Sequence, residues 1–258
     1  MTADTNYSIC WVCSGGDFRS VCEKDGHRYV QCARCGVVRQ YPYPNDKEIA
    51  QYYERYMSHK TASSIYLSDD GFEPFRRDKL LTFGDLGVPL DKFQGYNVCD
   101  VGCATGQFLQ MMAEYGPARL FGIDASKECV DIAKSRGLDC EQGDFLRMSC
   151  ETFDVITMWH LVEHLPKPQE FIRHAHDLLS PGGWLFIETP VIGAVSESFG
   201  AHWRYFSPIE HINLFPMDAL VRVCCDAGFS LRSYIRFGSG NDSENVPAQN
   251  KSAMDTIC

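Results

Sequence analysis

Four cysteines near the start of the chain stand at a spacing that suits a metal ion. Cys10 and Cys13 form one pair, Cys32 and Cys35 form a second, and two residues separate the members of each pair. Such pairs turn tightly enough to direct four sulfurs at one tetrahedral zinc ion. Because four sulfur ligands leave no open position for substrate or water, the sequence predicts a structural zinc and not a catalytic one. Four unrelated buried cysteines is the weaker interpretation.

A second group of polar residues lies in the segment MWHLVEHLPKP. His160, Glu163 and His164 stand at positions i, i+3 and i+4, which share one face of a helical turn. Such a face could bind a divalent metal ion. Alternatively, Glu163 and His164 hydrogen-bond to the backbone and fix the loop, and the sequence favours this second role.

A third group lies in HWRYFSPIEHINLF, residues 202–215, which combines four aromatic residues with two histidines, an arginine and a glutamate. An imidazole near its ordinary pKa can accept the proton of a hydroxyl group, so His211 is a candidate general base that Glu210 would orient. Two other roles remain open for His211. It could cap the following helix, or it could complete a metal site with the preceding group.

Composition limits the classes of function. The chain has 258 residues, 45% hydrophobic and 22% charged, and a formal net charge of −10, which argues against a broad nucleic-acid surface. No apolar run is long enough to span a bilayer. The first residues, MTADTNYSIC, lack the pattern of a secretory signal, so we expect a cytoplasmic protein whose other cysteines are reduced thiols.

The elements that must position these groups begin at Tyr96, in YNVCDVGCATGQFLQMMAEYG. An apolar strand runs into a turn of small residues and then into an amphipathic helix. Small residues in such a turn let the backbone approach a ligand closely. The next strand, in RLFGIDAS, ends at Asp124, whose carboxylate could accept hydrogen bonds from both hydroxyls of a ribose.

Three further segments continue the alternation of strands and helices. LDCEQGDFL ends with Asp144 and Phe145, which suit an adenine ring, and strands follow at FDVITMW and WLFIETP. This order predicts an α/β fold with a doubly wound, mostly parallel, Rossmann-like sheet and a small zinc-ribbon-like module at the N-terminus. Two helices, over 45–59 and from Gly71 to Gly84 or Gly87, would connect the module to the sheet.

Over residues 75–237 the chain resembles the class I S-adenosylmethionine-dependent methyltransferases. The motifs that carry the resemblance are DVGCATGQF, GIDAS, QGDF, FDVITMWHLVEHL and LLSPGGWLFIETP, in the family's order and spacing. The resemblance implies that the cofactor's methionine part, ribose and adenine contact a set of nine residues, namely Asp100, Gly102, Ala104, Gly106, Phe108, Asp124, Asp144, Phe145 and Trp159.

A narrower resemblance concerns what the protein acts on. A zinc-binding segment, a helical link and this domain together resemble methyltransferases of nucleotide-linked sugars, surface glycans and natural products. The Glu210-His211 pair resembles a Glu-His pair in the sugar C-methyltransferases, where the histidine is proposed to be the base. The resemblance therefore implies a small-molecule acceptor, most simply a hydroxyl of a sugar-containing or natural-product intermediate, and a monomer or homodimer.

Three alternatives remain. The zinc module could grip a macromolecule in an RNA or protein methyltransferase, or the chain could be a binding protein that keeps the fold without turnover. Metal-assisted O-methyl transfer is the third, because ubiquinone-pathway O-methyltransferases and small-RNA 2′-O-methyltransferases resemble residues 160–164. Those families have Glu-x-x-Glu-His, whereas this chain has His-x-x-Glu-His.

We expect four regions along the chain. Residues 1–44 form the zinc-binding module, 45–92 a helical linker or lid, 93–237 the methyltransferase domain and 238–258 a disordered tail without a convincing last strand of the sheet. The module is expected to be a flap over the acceptor site, with Tyr41 and Tyr43 exposed and helping to select the acceptor.

Overall fold

A computed structural model describes residues 9–54, 69–149, 151–238 and 253–257. In chain order its strands are β1 (Phe18–Lys24), β2 (His27–Cys32), β3 (Val38–Tyr41), β4 (Asn97–Val101), β5 (Arg119–Asp124), β6 (Cys140–Gln142), β7 (Phe153–Trp159), β8 (Leu179–Pro190), β9 (Asn213–Leu214), β10 (Tyr234–Gly238) and β11 (Ala253–Ile257). The α-helices are α1 (Asp46–Glu54), α2 (Phe72–Asp85), α3 (Gln107–Met112), α4 (Lys127–Ser135), α5 (Pro168–Leu178), α6 (Ala194–Phe199) and α7 (Met217–Asp226).

The larger sheet has the strand order β10-β11-β8-β7-β4-β5-β6. The five strands from β8 to β6 are parallel, and helices lie in the connections between them. The predicted α/β fold is therefore confirmed. The order reverses beside β4, and at such a switch point the carboxyl ends of the strands open a crevice for a ligand.

The turn after β4 depends on its last glycine. Gly106 has a φ of 82°, and a Cβ built on it would come within 2.3 Å of the Leu138 side chain. A side chain at this position would clash and would also strain the backbone, because positive φ favours glycine. Steric contacts within the fold therefore require glycine at position 106 of the predicted turn.

The end of the chain differs from expectation. We predicted a disordered tail over 238–258 and no last strand, but β11 pairs antiparallel with both β8 and β10. The prediction is wrong for residues 253–257, because short polar segments form strands when neighbouring strands supply hydrogen-bond partners. The predicted helix over 45–59 is seen as α1 up to Glu54, and its remainder lies outside the described residues.

A second sheet, with the order β1-β2-β3-β9, joins the N-terminal module to a distant part of the chain. Its fourth strand, β9, belongs to residues 202–215, which we call the acceptor loop. Val37 of the module lies in the main hydrophobic core, and Trp11, Val12 and Cys35 pack against that core. The module is therefore part of the domain's packing, not a separate flap.

Tyr43 shows the same integration and corrects a prediction. Its side chain is buried, and its hydroxyl contacts the carbonyl of Pro166 at 3.0 Å and the Asn213 amide at 2.8 Å. Tyr43 therefore ties the module to the domain and does not face an acceptor as an exposed residue. Tyr41 is exposed and lies under the Arg28 guanidinium.

Helix α2 contributes the most deeply buried charge to the interior. Lys79 is fully buried, and its Nζ lies 2.8 and 2.7 Å from the two carboxylate oxygens of Glu188 in β8. The ammonium also lies 4.7 Å from the centre of the Trp159 ring. This pair fastens α2 across the ends of two strands, since neither charge would be stable there alone. None of the described helices has the length and apolar character that crossing a membrane requires.

We expect Lys79→Met to lower the free energy of unfolding by about 3–5 kcal/mol, because it leaves the Glu188 carboxylate buried without its ammonium. Lys79→Met with Glu188→Gln should recover at least half of that loss. Urea denaturation followed by circular dichroism measures both. Lys127→Met, which removes an exposed ion pair with Asp131, is the control and should change stability by less than about 1 kcal/mol. Equal losses in the single and double variants would contradict a dominant role for the pair.

Candidate functional site

The switch point of the main sheet joins two of the predicted cofactor residues. The two carboxylate oxygens of Asp124, at the end of β5, accept hydrogen bonds from the backbone N–H groups of Ala104 and Ser126 at 2.9 and 2.8 Å. Burial raises the pKa of Asp124, and these two N–H groups oppose the rise. The acid is thereby fixed against the small-residue turn, with lone pairs left for further donors.

Asp100 and Asp144 have contrasting surroundings. Asp100 is buried and accepts a hydrogen bond from the Thr157 hydroxyl at 2.6 Å, and burial raises its pKa to about 7. Asp144 is half-exposed and accepts from the Leu146 N–H at 3.0 Å. Asp100 therefore supports the turn from inside, whereas the Asp144 carboxylate is accessible from solvent.

Three aromatic rings of the predicted cofactor set lie in the core. Phe108 and Trp159 pack against each other at 5.2 Å and against Phe83 of α2. Phe145 packs on Phe171 of α5. Core packing accounts for the burial of all three rings, and their predicted contact with the cofactor stays a prediction.

His160 lies between two carboxylates. This differs from one of its predicted roles, which was to bind a metal ion together with Glu163 and His164. Its Nε2 lies 2.9 Å from Glu188 and its Nδ1 lies 3.4 Å from Glu163. Its backbone N–H donates to the Glu188 carbonyl at 2.8 Å, and its φ is 51°, which is uncommon outside glycine. His160 is therefore fixed by Glu188, and both its ring nitrogens face carboxylates of the interior.

These contacts decide the charge of His160. Burial alone would lower the pKa of the imidazole, but its contacts with Glu163 and Glu188 and their negative charges outweigh burial and raise its pKa to about 9. Burial would likewise raise the pKa of Glu188, but the charge of Lys79 and the contact with His160 lower it to about 2. Lys79, Glu188, His160 and Glu163 therefore form a row of buried groups whose charges alternate in sign at neutral pH. A protonated imidazole is a poor base or metal ligand.

Glu163, His164 and His211 lie close together. The sequence left metal binding and proton transfer open as roles for these residues. One donor atom from each lies within 4.8 Å of the others. Glu163 is fully buried, and its Oε2 accepts from the Thr189 hydroxyl at 2.9 Å. Its Oε1 makes no hydrogen bond among the described residues and lies 3.7 Å from Nε2 of His164. The arrangement of these three groups could hold a cation or orient an acceptor.

The hydrogen bond of His211 determines which of its nitrogens carries the proton. Nδ1 lies 2.8 Å from the backbone carbonyl oxygen of Tyr205. A carbonyl can only accept, so Nδ1 carries a proton, and in the neutral imidazole the lone pair is on Nε2. The rings of Tyr205 and His211 are stacked at 5.7 Å, and the His164 ring meets His211 edge-on at 4.9 Å.

Glu210 does not have the position that the sequence suggested for it. Its carboxylate accepts from the Ser207 hydroxyl at 2.9 Å and lies beside Tyr52. Burial raises the pKa of Tyr52, and the Glu210 charge adds to the rise. The orientation of His211 comes from the Tyr205 carbonyl, and Glu210 instead links the acceptor loop to α1.

The four predicted zinc ligands meet in one cluster. Donor atoms of Cys10, Cys13, Cys32 and Cys35 all lie within 4.8 Å of one another. The sulfurs of Cys10 and Cys35 are 3.4 Å apart, and those of Cys13 and Cys32 are 3.5 Å apart. Four sulfurs at about 2.3 Å from a tetrahedral zinc stand at similar separations, so the cluster has the ligand type and size that zinc requires.

Residues that the sequence analysis missed hold this site together. Lys79 and Glu188 fix His160, Thr189 fixes Glu163, and Gln40 and Tyr29 contact the acceptor loop. One signal was available, because Glu188 interrupts the apolar strand WLFIETP. A charge within a buried strand indicates a buried partner, but the sequence does not say which residue provides it.

We expect the stability contributed by His160 to be fully present below pH 6.5 and to be lost as the pH rises through 9, because the folded state holds the proton more tightly than the unfolded state. Wild-type unfolding free energy should fall by up to about 1.4 kcal/mol per pH unit in that range relative to His160→Asn, whose side chain tolerates positive φ. His176→Asn, at a half-exposed surface position, should keep the wild-type slope. A parallel pH profile for His160→Asn would contradict the assignment.

Comparison with known proteins identifies a domain and several relatives. Residues 69–234 match the family described as Methyltransferase domain. The ubiquinone biosynthesis O-methyltransferase of Coxiella burnetii is 32% identical over 132 residues, which are 48% of this chain and 54% of that protein. The match thus spans about half the length of the Coxiella relative. The protein of the same name from Leptothrix cholodnii is 26% identical over 72% of this chain and 83% of its own.

Solved structures share the fold at low sequence identity. Magnesium protoporphyrin IX methyltransferase from Synechocystis, with bound S-adenosylhomocysteine, has a TM-score of 0.60 and 13% identity over 83% of this chain and 98% of that one. The N-methyltransferase NodS from Bradyrhizobium japonicum has a TM-score of 0.56 and 17% identity over 81% of this chain and 97% of that one. The family match covers more than half of the chain and includes the five parallel strands of the main sheet, so the chain belongs to the methyltransferase domain family and has the fold of the class I S-adenosylmethionine-dependent methyltransferases.

Proposed function

We propose that the protein transfers the methyl group of S-adenosylmethionine to a hydroxyl oxygen of a small-molecule acceptor, with His211 as the base. The hydrogen bond from Nδ1 of His211 to the Tyr205 carbonyl carries this proposal, because it leaves the lone pair on Nε2. The names of the sequence relatives, which are O-methyltransferases, support transfer to oxygen.

The residues of the switch point suit the cofactor. Asp124 presents its carboxylate beside the backbone of Ala104, and Gly106 allows the turn that brings this backbone close to a ligand. Asp144 is accessible enough to accept a hydrogen bond from an adenine amino group. We propose that Asp124 holds the ribose and Asp144 the adenine, while Gly102, Ala104 and Gly106 lie against the methionine part, with Asp100 supporting that turn.

When bound, the cofactor supplies an electrophilic methyl carbon, whose bond to sulfur breaks as the bond to the acceptor oxygen forms. Nε2 of His211 takes the hydroxyl proton in that step and later releases it to solvent. The positive charge that forms on the ring lies near the Glu163 carboxylate, which stabilises it. Tyr205 keeps the ring in position through its carbonyl and its stacked face.

Metal-assisted transfer is the second candidate, and one observation favours it. Glu163, His164 and His211 form a ligand cluster in which one carboxylate oxygen makes no hydrogen bond among the described residues. Carboxylate and imidazole ligands suit a divalent cation, which would lower the pKa of a bound acceptor hydroxyl. His160 takes no part in this version, since both its nitrogens face carboxylates.

The surroundings of the acceptor loop favour a small acceptor. Val37 of the module lies in the domain core, Trp11, Val12 and Cys35 pack against that core, and the chain carries a net charge of −10. Both features disfavour a nucleic-acid or protein substrate gripped by the module. Aromatic rings of Tyr205, Tyr53 and His164 line the region and suit a flat or sugar-like acceptor, so we propose a sugar-containing or natural-product hydroxyl.

We propose a structural zinc at the four cysteines. All four sulfurs are used in such a site, so no ligand position remains for substrate. A short segment with few core residues of its own gains its folding energy from the metal. The zinc would hold the turn that carries Trp11 against Phe215, at the end of the acceptor loop.

The function is tested by binding and by turnover. S-adenosylmethionine should raise the wild-type melting temperature, and Asp124→Ala should abolish the rise because it removes the ribose acceptor. His211→Ala should keep the rise but reduce turnover at least roughly tenfold, because it removes only the base. Turnover is measured as a mass gain of one methylene group across a panel of catechols and nucleotide-linked hexoses.

The same assay separates the two versions. Loss of turnover with a chelator and recovery with Mg²⁺ would select the metal-assisted reaction, whereas turnover insensitive to the chelator selects the base. A wild-type melting temperature that S-adenosylmethionine does not change would refute the proposed function.

The zinc site is tested by metal content. Purified wild-type protein should hold about one zinc per chain, and Cys32→Ser should hold far less because three sulfurs bind less tightly than four. Cys225→Ser, which changes an exposed cysteine outside the cluster, is the control and should keep the metal. Plasma mass spectrometry measures both variants, and zinc-free wild-type protein would contradict the assignment.

A further inference from the structure

The acceptor loop owes its conformation to the N-terminal sheet. Tyr29 of β2 and Gln40 of β3 are cross-strand partners, and both are buried, at 0% and 2% exposure. The side-chain oxygen of Gln40 accepts from the backbone N–H of Ile209 at 2.6 Å. The hydroxyl of Tyr29 donates to the backbone carbonyl of His211 at 3.2 Å.

A third bond completes the set on the other side of His211. The backbone N–H of Gln40 donates to the carbonyl of Ile212 at 3.1 Å. Residues 209, 211 and 212 are thus each bonded to the Tyr29–Gln40 pair, so the backbone is held on both sides of the histidine. From the main domain, the Glu163 carbonyl accepts from the N–H of Ile212 at 3.0 Å, which brings the two ligand-bearing segments together.

The backbone of Ile209 indicates that these bonds hold the loop against strain. Its φ is 68°, which is unfavourable for a β-branched residue. Such a conformation persists only where the surroundings over-determine it, and strained residues of this kind cluster at functional sites. The Gln40 side chain bonds this very residue, two positions before His211.

The contacts continue to the cysteine cluster. Trp11, which lies between Cys10 and Cys13, donates from its indole N–H to the Asn213 side chain at 3.2 Å. Asn213 is fully buried and donates to the Leu165 carbonyl at 2.7 Å, next to His164. The pairing of β3 with β9 covers the same stretch of the loop.

We propose that Tyr29 and Gln40 are positioning residues for His211, so that the N-terminal module is a scaffold of the acceptor site and not a substrate-binding flap. This inference rests on the proposed role of His211. Small displacements of a reacting group are costly in rate, so loss of the Gln40 bond affects turnover without touching the cofactor.

The test compares two glutamines of one sheet. Gln40→Met keeps the shape of the side chain but removes the acceptor for Ile209. Gln31→Met is the matched control, because Gln31 is also buried in β2 but bonds Arg19 and the Gly36 carbonyl, away from the acceptor loop. Gln40→Glu retains an oxygen that can accept from the Ile209 N–H, so this variant should keep wild-type hydrogen exchange and kcat. Zinc content and melting temperature are measured for every variant.

Two readouts are expected to move together. In Gln40→Met, amide hydrogen exchange at Ile209 and Ile212 should speed up at least roughly tenfold, and kcat should fall roughly ten- to a hundredfold with an unchanged Kd for S-adenosylhomocysteine. Gln31→Met should leave both readouts at wild-type values. Tyr29→Phe, which removes one hydroxyl, should change hydrogen exchange and kcat in the same direction but by less. It replaces Gln40→Met in the test if that variant does not fold.

The outcomes separate this inference from the proposed function. Exchange in the loop that is the same in Gln40→Met and Gln31→Met would overturn the positioning role. Faster exchange with unchanged kcat would overturn the functional part of the inference. If His211→Ala itself keeps full turnover, the proposed base is wrong, whereas the exchange result still decides whether the module holds the loop.

Discussion

Lys79 and Glu188 form an ion pair in the interior, where removing either partner would take from a buried charge its closest opposite charge. The pair fastens α2 to β8. Glu188 also contacts His160 twice, through its side-chain carboxylate and through its backbone carbonyl. His160 in turn faces Glu163, so signs alternate along a row of buried groups. The lowered pKa of Glu163, near His164 and His211, is a consequence of this row.

The acceptor loop is the place where two sheets meet. Its backbone is hydrogen-bonded to Gln40 and Tyr29 of the small sheet and to Glu163 of the large domain. The Tyr205 carbonyl orients the His211 ring from within the loop, whereas the strained backbone of Ile209 would relax without partners from outside it. The cysteine cluster stabilises the far side of the same contact through Trp11 and Asn213. This arrangement explains why a small metal-type module is joined to a methyltransferase domain in one chain.

The sequence predicted the parts of the fold that depend on local pattern. The strand, small-residue turn and helix at DVGCATGQF, the acid after the second strand and the two cysteine pairs all have short-range spacing, which the chain alone specifies. β11 escaped prediction because AMDTI has no clear alternation, and only hydrogen bonds from β8 and β10 make it a strand. Tyr43 was misplaced for a similar reason, since its partners Pro166 and Asn213 lie far along the chain.

The roles of the three histidines show the same division. From the sequence alone, His160, His164 and His211 are equivalent imidazoles beside glutamates, and their residue types establish only that proton transfer or metal binding is available. The tertiary structure gives each of them different surroundings, and the charge of an imidazole depends on what surrounds it within a few ångströms. Glu188 and Lys79, which lie 109 positions apart, commit His160 to a structural ion pair. The Tyr205 carbonyl accepts from Nδ1 of His211, so the lone pair of the neutral ring is on Nε2, and only the folded chain brings the ring close to Glu163.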